Sequence, residues 1–141
     1  MSYTQNYALG AWHNPTGTLT TQYHAITGEA IAQAGDFDDY AAMGAYAVRT
    51  GGAVLRKMTF FERGLMLKKL ALFLTERKER YYEVSAWTGA TRADSWIDID
   101  GGIGNLFAYA SLRRRMGNET FYVEGDPAKL SKNGTFIGVH V

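Results

Sequence analysis

The hydrophobic pattern changes twice along this chain, and this change constrains the fold more than any other feature. The first part carries short strand-like runs separated by turn residues, the middle shows helical periodicity, and strand character returns near the end. We therefore predict a mixed α/β chain (α+β within these residues) in three segments. These are an N-terminal β-hairpin segment (1–36), a helical part (37–117) and a C-terminal β-arm (118–141).

The opening segment reads as a small β unit. Short strands are predicted at 7–12, 20–26 and 30–32. A turn at 14–17 separates the first two, because Pro15 fixes its own φ and Gly17 tolerates positive φ. A second turn is predicted at Thr27–Glu29. This unit is too small to form a hydrophobic core by itself.

Capping signals divide the helical part. Asp38 is predicted to cap a helix that reaches Arg49 and ends at Gly51–Gly52. Thr59 and Glu62 fit a capping box at the start of a second helix. Its apolar stripe consists of Leu67, Leu70, Ala71 and Leu74, widened by Met66 and Phe73. Helical character continues over 76–87 until Thr88–Gly89 stops it.

The longest predicted helix begins at Thr91 and runs to about Met116. Acidic residues lie in its first half and an arginine triplet in its last turn, which suits the helix dipole. One side carries the predicted core residues Trp96, Ile99, Ile103, Leu106, Phe107 and Ala110.

The opposite side of this helix carries Ile97, Gly101, Gly104 and Ala108. Each glycine inside a helix lowers its stability by about 1 kcal/mol relative to alanine. The presence of Gly101, Gly102 and Gly104 in one helix therefore requires an explanation. Either another element packs very closely there, or space is left for something else.

The C-terminal segment is predicted to hold strands at 121–124 and 135–141. Turns are predicted at Gly125–Pro127 and Lys132–Gly134. The last strand runs into Val141 with no polar tail, which leads us to expect a chain that is part of something longer. Exposed strands of this kind invite pairing.

Composition excludes several classes of function. The chain has no cysteine, which excludes thiol nucleophiles, disulfides and Cys-ligated metals within it. Its net charge is +1, and basic residues are interleaved with acids, so nucleic acid is not an expected partner. All 15 basic residues lie at or after Arg49, which indicates either a basic face for an anion or, as favoured here, solvated helix faces.

No signal peptide or membrane span is recognisable, so we expect a cytoplasmic protein.

No local motif predicts an active site. The glycine-rich run Asp100–Asn105 neither follows a strand nor opens a helix, so it is a poor dinucleotide fingerprint. Asp94, Asp98 and Asp100 lack the spacing of a metal loop, and helix-start electrostatics explain them better. The arginine triplet 113–115 is a phosphate clamp or, as favoured here, a helix-end charge cluster.

Two stretches carry a family resemblance. Residues 58–70 and 88–111 closely resemble the N-terminal part of the aldehyde dehydrogenase domain in bifunctional phenylacetic acid degradation proteins (PaaZ-type). More loosely, Ile26–Ala32 resembles a turn near the start of aldehyde dehydrogenases in general, and Arg63 with Leu67 resembles one of their helices. The resemblance covers nearly the whole chain.

The resemblance implies an N-terminal portion of an NAD(P)-dependent enzyme. Family members continue into a Rossmann-like cofactor domain, most of which this chain would lack, and then a catalytic domain that holds the nucleophilic cysteine. The chain alone is therefore expected to be non-catalytic and to bind no cofactor or metal. The parent would oxidise a ring-opened, CoA-linked semialdehyde in phenylacetate degradation. The alternatives are a dehydroadipyl-CoA semialdehyde dehydrogenase of benzoate degradation and a stand-alone helical interaction module.

Two structural roles also follow from the resemblance. The arm 118–141 resembles the strands that pair with a neighbouring subunit, which implies a homo-oligomer. The helix matching 92–116 lines the aldehyde entrance in the family, so Ile97, Gly101, Gly104 and Ala108 are expected to line a substrate tunnel. Close helix packing remains the alternative for these small residues.

Overall fold

A computed structural model describes residues 2–140 and confirms a mixed α+β architecture. Met1 and Val141, the outermost residues of the predicted segments 1–36 and 118–141, lie outside the described residues, and the division into three segments stays a prediction. The elements, in chain order, are β1 (Ser2–Tyr3), β2 (Asn6–Ala8), β3 (Ala11–His13), β4 (Thr16–Tyr23), β5 (Ala30–Asp36), α1 (Tyr40–Tyr46), a π-helical turn (Ala47–Gly51), α2 (Gly52–Lys57), α3 (Phe60–Thr75), α4 (Lys78–Trp87), α5 (Arg92–Ser111), α6 (Arg113–Met116), β6 (Glu124–Lys129) and β7 (Ile137–His140).

The N-terminal strands form two small sheets. Strands β2 and β3 pair in an antiparallel hairpin, so the single strand predicted at 7–12 is wrong. The chain reverses at Leu9 and Gly10, which both adopt positive φ, 53° and 81°, as tight hairpin turns require. Strands β4 and β5 pair antiparallel, with β1 parallel on the other side of β5. Strand β4 begins at Thr16, inside the predicted turn, and β5 extends past the predicted 30–32.

The first helical segment is longer than predicted. Asp39, rather than Asp38, caps it by accepting a hydrogen bond from the Ala42 amide at 2.7 Å. Gly51 and Gly52 do not end the helix, because both take right-handed helical dihedrals, with φ of −63°. Glycine ends a helix when it turns left-handed, and here a π-helical turn carries the chain on to Lys57.

The predicted starts of α3 and α5 and the predicted stop after α4 are confirmed. The Glu62 amide donates to Thr59 Oγ1 at 3.1 Å, and the Thr59 amide donates to Glu62 Oε2 at 2.8 Å, which confirms the start of α3. Thr91 forms the same box with Asp94 at the start of α5. Gly89, with φ of 87°, follows α4 as predicted. The long helix predicted to reach Met116 is interrupted at Leu112, after which α6 completes it.

The core lies where α5 packs against α3 and α4. Its buried side chains are Ser95, Ile103 and Ala110 of α5, Ala71 of α3 and Tyr82 of α4. The predictions for Ile103 and Ala110 are confirmed, and Ser95 was missed.

Several predicted core residues are exposed instead. On α5 these are Trp96 and Phe107, and on α3 they are Met66, Leu70 and Phe73. Gly64 and Ala71, the buried residues of α3, are both small, so the helices meet along a narrow line and larger neighbours stay outside it.

The C-terminal arm is a two-stranded antiparallel sheet of β6 and β7. The strand predicted at 121–124 is wrong, since β6 only begins at Glu124 and runs through the predicted turn Gly125–Pro127. The register is irregular there, and Gly125 has a φ of 72°. The turn at Lys132–Gly134 is confirmed by the Gly134 amide donating to the Ser131 carbonyl at 3.1 Å.

Candidate functional site

One face of α5 is open along most of the helix. The predicted tunnel residues Ile97, Gly101, Gly104 and Ala108 all lie on it, and all are exposed. Ile97 is the one large side chain among them, with 63% of its surface accessible. Their spacings of four, three and four residues keep them on one side of a helix. The structure therefore brings the four residues together as a continuous strip.

The glycines of α5 are not explained by close packing within the described residues. A Cβ atom added to Gly101, Gly102 or Gly104 would meet no heavy atom within 4 Å. Gly64 on α3 behaves in the opposite way, because its added Cβ would lie 2.7 Å from Arg113 Cβ and 3.0 Å from the Ala110 carbonyl oxygen. Of the two explanations for the α5 glycines, close packing is wrong for residues 2–140.

A cleft of about 760 Å³ opens beside the N-terminal half of this strip. It is lined by Lys78, Tyr82, Arg92, Ala93, Trp96 and Ile97. Ile97 is thus the one tunnel residue that lines the cleft, and the other three continue the strip beyond it. The cleft is shallow, because Trp96 and Ile97 in its lining keep 60% and 63% of their surface exposed.

The charged groups of this cleft are already paired. Lys78 Nζ donates to Asp100 Oδ1 at 2.8 Å, and the Tyr82 hydroxyl donates to Asp100 Oδ2. Arg92 binds Glu79 through contacts of 3.1 Å, and its guanidinium carbon lies 3.7 Å from the centre of the Tyr82 ring. Lys78 and Arg92 are therefore compensated by carboxylates of α5 and α4, which together with α3 and α6 form the helical unit of the chain.

The pairing shifts the titration of these groups. Hydrogen bonds from Lys78 and Tyr82 lower the pKa of Asp100, while bonding to Asp100 raises the pKa of both Lys78 and Tyr82. Each shift favours the protonation state that keeps the network intact. The network joins Lys78 and Tyr82 of α4 to Asp100 of α5, so it helps to position the two helices against each other.

The network was not predicted from the sequence. Lys78 and Tyr82 lie four residues apart on α4 and therefore share a face, which is the one available indication. Helix-start electrostatics, the role predicted for Asp100, does not describe its contacts, because its carboxylate binds Lys78 and Tyr82 of the neighbouring helix α4.

The other sequence motifs have structural roles. Asp94 caps α5, and hydrogen bonds from the Thr91 side chain and backbone lower its pKa. Within residues 2–140, no group of three His, Cys, Asp or Glu side chains is arranged to hold a metal ion. The glycine-rich run Asp100–Asn105 lies inside α5, so its amides belong to the helix rather than to a phosphate-binding turn.

The arginine triplet sits on α6, at the end of the long helical segment. Arg113 donates to the Ala110 carbonyl, as a basic residue at a helix C-terminus does. Within the part of the chain that the structure describes, none of the helices has both the length and the apolar character that crossing a membrane requires.

Comparison with known proteins gives one informative similarity. No family model matches the chain. A curated 3,4-dehydroadipyl-CoA semialdehyde dehydrogenase from Aromatoleum evansii is 31% identical over 137 residues. The match covers 96% of this chain and 27% of the relative, so the chain spans about a quarter of the length of the protein it matches. Nearly the whole chain is thus similar in sequence to part of this semialdehyde dehydrogenase.

Proposed function

We propose that this chain is the N-terminal part of an NAD(P)-dependent aldehyde dehydrogenase that oxidises a CoA-linked semialdehyde in aromatic degradation. The observation that carries the proposal is the similarity to a CoA-linked semialdehyde dehydrogenase over 96% of the chain. The chain has no cysteine, and its glycine-rich run lies inside a helix, so its residues do not form the family's catalytic or dinucleotide site. Its contribution is structural, and the reacting groups belong to the rest of the enzyme.

The strip of α5 is proposed to line the path of the aldehyde. Ile97, Gly101, Gly104 and Ala108 form a smooth surface that no described element covers closely. A bulky CoA-linked substrate needs such a surface more than a small aldehyde does, because every side chain that narrows its path costs binding free energy.

The arm of β6 and β7 is proposed to pair with a neighbouring subunit of a cytoplasmic homo-oligomer. Its large apolar side chains Leu130 and Phe136 are each 70% exposed. A two-stranded sheet with exposed apolar groups and open edges is stabilised by pairing with a further strand.

Two chemically similar degradation routes are candidates for the pathway in which the enzyme acts. The name of the relative favours a 3,4-dehydroadipyl-CoA semialdehyde, as formed in benzoate degradation. The resemblance of residues 58–70 and 88–111 to PaaZ-type enzymes favours the ring-opened semialdehyde of phenylacetate degradation. The ratio of kcat/KM for these two substrates, measured with the full-length enzyme, decides between them.

The first test of the proposal is the intact mass of the native product, detected with an antibody to this segment. A product several times larger than 15.6 kDa is expected. A native product of 15.6 kDa would contradict the proposal and favour the stand-alone interaction module.

The second test is Gly101→Leu in the full-length enzyme. We expect KM for the CoA-semialdehyde to rise at least about tenfold, while KM for a small aldehyde changes little. Gly102→Leu is the matched control, since Gly102 is equally open but lies off the strip. Equal effects on both substrates would exclude the tunnel role.

A further inference from the structure

A second cleft lies at the C-terminal end of α5. It has a volume of about 310 Å³ and lies between the first turns of α3 and the junction of α5 with α6. Phe60, Leu67 and Met116 contribute apolar walls, and Tyr109 lies at its side with 65% of its surface exposed. Two arginines, Arg63 and Arg113, complete the lining.

Within the described residues, the two arginines have no carboxylate partner. The three ion pairs found within residues 2–140 involve other residues, and neither Arg63 nor Arg113 has a carboxylate oxygen within 4.0 Å. Arg63 Nε is buried without any hydrogen-bond partner. This differs from the cleft beside Ile97, where Lys78 and Arg92 are each paired with an acid. A partly buried cation without a counter-charge is costly, and an incoming carboxylate relieves that cost.

The arginines are also held in position before any partner arrives. Arg63 donates to the Thr120 carbonyl at 2.8 Å, and its guanidinium carbon lies 4.1 Å from the centre of the Phe60 ring. Arg113 donates to the Ala110 carbonyl and packs against Gly64. Preorganised guanidinium groups lose little conformational entropy when they bind an anion.

The surroundings point to a polypeptide rather than a free anion. Tyr122 lies beside Phe60, with ring centres 6.4 Å apart, and Tyr109, Tyr122 and Phe61 are all substantially exposed. This apolar surface extends beyond the cleft, so a small anion bound to the arginines would leave much of it in water. A segment with an acidic residue among apolar ones matches both the charge and the surface.

We infer that the cleft of Arg63 and Arg113 receives an aspartate or glutamate presented by an apolar segment of the rest of the dehydrogenase chain. This inference rests on the proposed function, because it needs a chain that continues beyond these residues. The site is then an internal docking point that fixes the helical unit against the larger part of the enzyme.

The test is site-specific photo-crosslinking in the full-length enzyme, with p-benzoylphenylalanine replacing Tyr109. We expect a crosslink to a peptide of the same polypeptide beyond residue 141 that contains an acidic residue flanked by apolar ones. The same probe at Trp96, which is 60% exposed in the other cleft, is the control and should reach a different peptide. Crosslinks confined to residues 1–141, to a second copy or to no protein would overturn the inference.

A charge substitution sharpens the test. Arg113→Glu should reduce the yield of the Tyr109 crosslink about tenfold, and reversal of the mapped acidic residue to Arg should restore it. Arg114→Glu is the control, because Arg114 does not line the cleft. An unchanged yield in Arg113→Gln, which removes the positive charge and leaves a shorter polar side chain, would exclude the ion pair. The mass of the native product separately tests the proposed function, so a long enzyme without this crosslink refutes only the inference.

Discussion

Glycine serves two opposite purposes in the two principal helices of this chain. On α3, Gly64 lies against α5 and α6 so closely that a methyl group would collide with Arg113 Cβ and the Ala110 carbonyl. On α5, Gly101 and Gly104 face open space. The first glycine allows two helices to approach, whereas the others keep a surface smooth. The helical unit is therefore closely packed along its inner contact and open on its outer face.

The difference between the closely packed Gly64 and the open glycines of α5 is tested most strongly by Gly64→Ala. The new Cβ would lie 2.7 Å from Arg113 Cβ, which is close to the backbone and cannot swing aside. Helices α3 and α6 must separate, so we expect the free energy of unfolding to fall by about 1–3 kcal/mol. Urea unfolding followed by circular dichroism measures the change. A stability equal to that of the wild type would show that the contact is looser than the structure indicates.

Local signals in the sequence place the starts of α3 and α5 but not the core. The capping box at Thr59 and the helix start at Thr91 are both confirmed, because a cap involves residues only three positions apart. The predicted apolar stripe of α3 is partly wrong, since Leu70 is exposed and Ala71 is fully buried. Which apolar residue is covered depends on the line along which a distant helix crosses, and periodicity does not contain that information.

The same limit applies to the candidate site. Helical spacing alone put Ile97, Gly101, Gly104 and Ala108 on one face, and the structure places them there. The pairing of Asp100 with Lys78 and Tyr82 joins residues about twenty positions apart and depends on how α4 docks onto α5. Hairpin β2–β3 was missed because Leu9, a non-glycine residue, adopts the positive φ that the turn requires.

A smaller effect of opposite sign is expected from Gly101→Ala. Alanine removes the backbone entropy cost of glycine, and its Cβ meets nothing within 4 Å. The free energy of unfolding should therefore rise by up to about 1 kcal/mol. Urea unfolding of this variant beside Gly64→Ala gives the contrast directly. Destabilisation by Gly101→Ala would show that an element outside residues 2–140 packs tightly on this face.

The smallest effect concerns the contact between α4 and α5, where hydrogen bonds from Lys78 and Tyr82 to Asp100 add to the packing of the buried Tyr82 side chain. Because the pKa of Asp100 is lowered by Lys78 and Tyr82, its contribution to stability is present above the ordinary carboxyl pKa and is lost as pH falls through the depressed value. Because the pKa values of Lys78 and Tyr82 are raised, their contribution is complete below their ordinary values and is lost as pH rises through the raised ones.

Asp100→Asn should therefore destabilise the protein most between about pH 5 and pH 9, and the difference from the wild type should shrink toward both extremes. The effect should be modest, because Lys78 and Asp100 keep contact with solvent and salt screens their charges. Thermal unfolding from about pH 2 to pH 11 measures it, because the loss of the network falls outside the window of about pH 5 to pH 9. Asp98→Asn, an exposed carboxylate on the same helix, is the control. A pH-independent difference between Asp100→Asn and the wild type would mean that packing of Tyr82, rather than charge, joins α4 to α5, and the two sides of α5 would then be held in the same way.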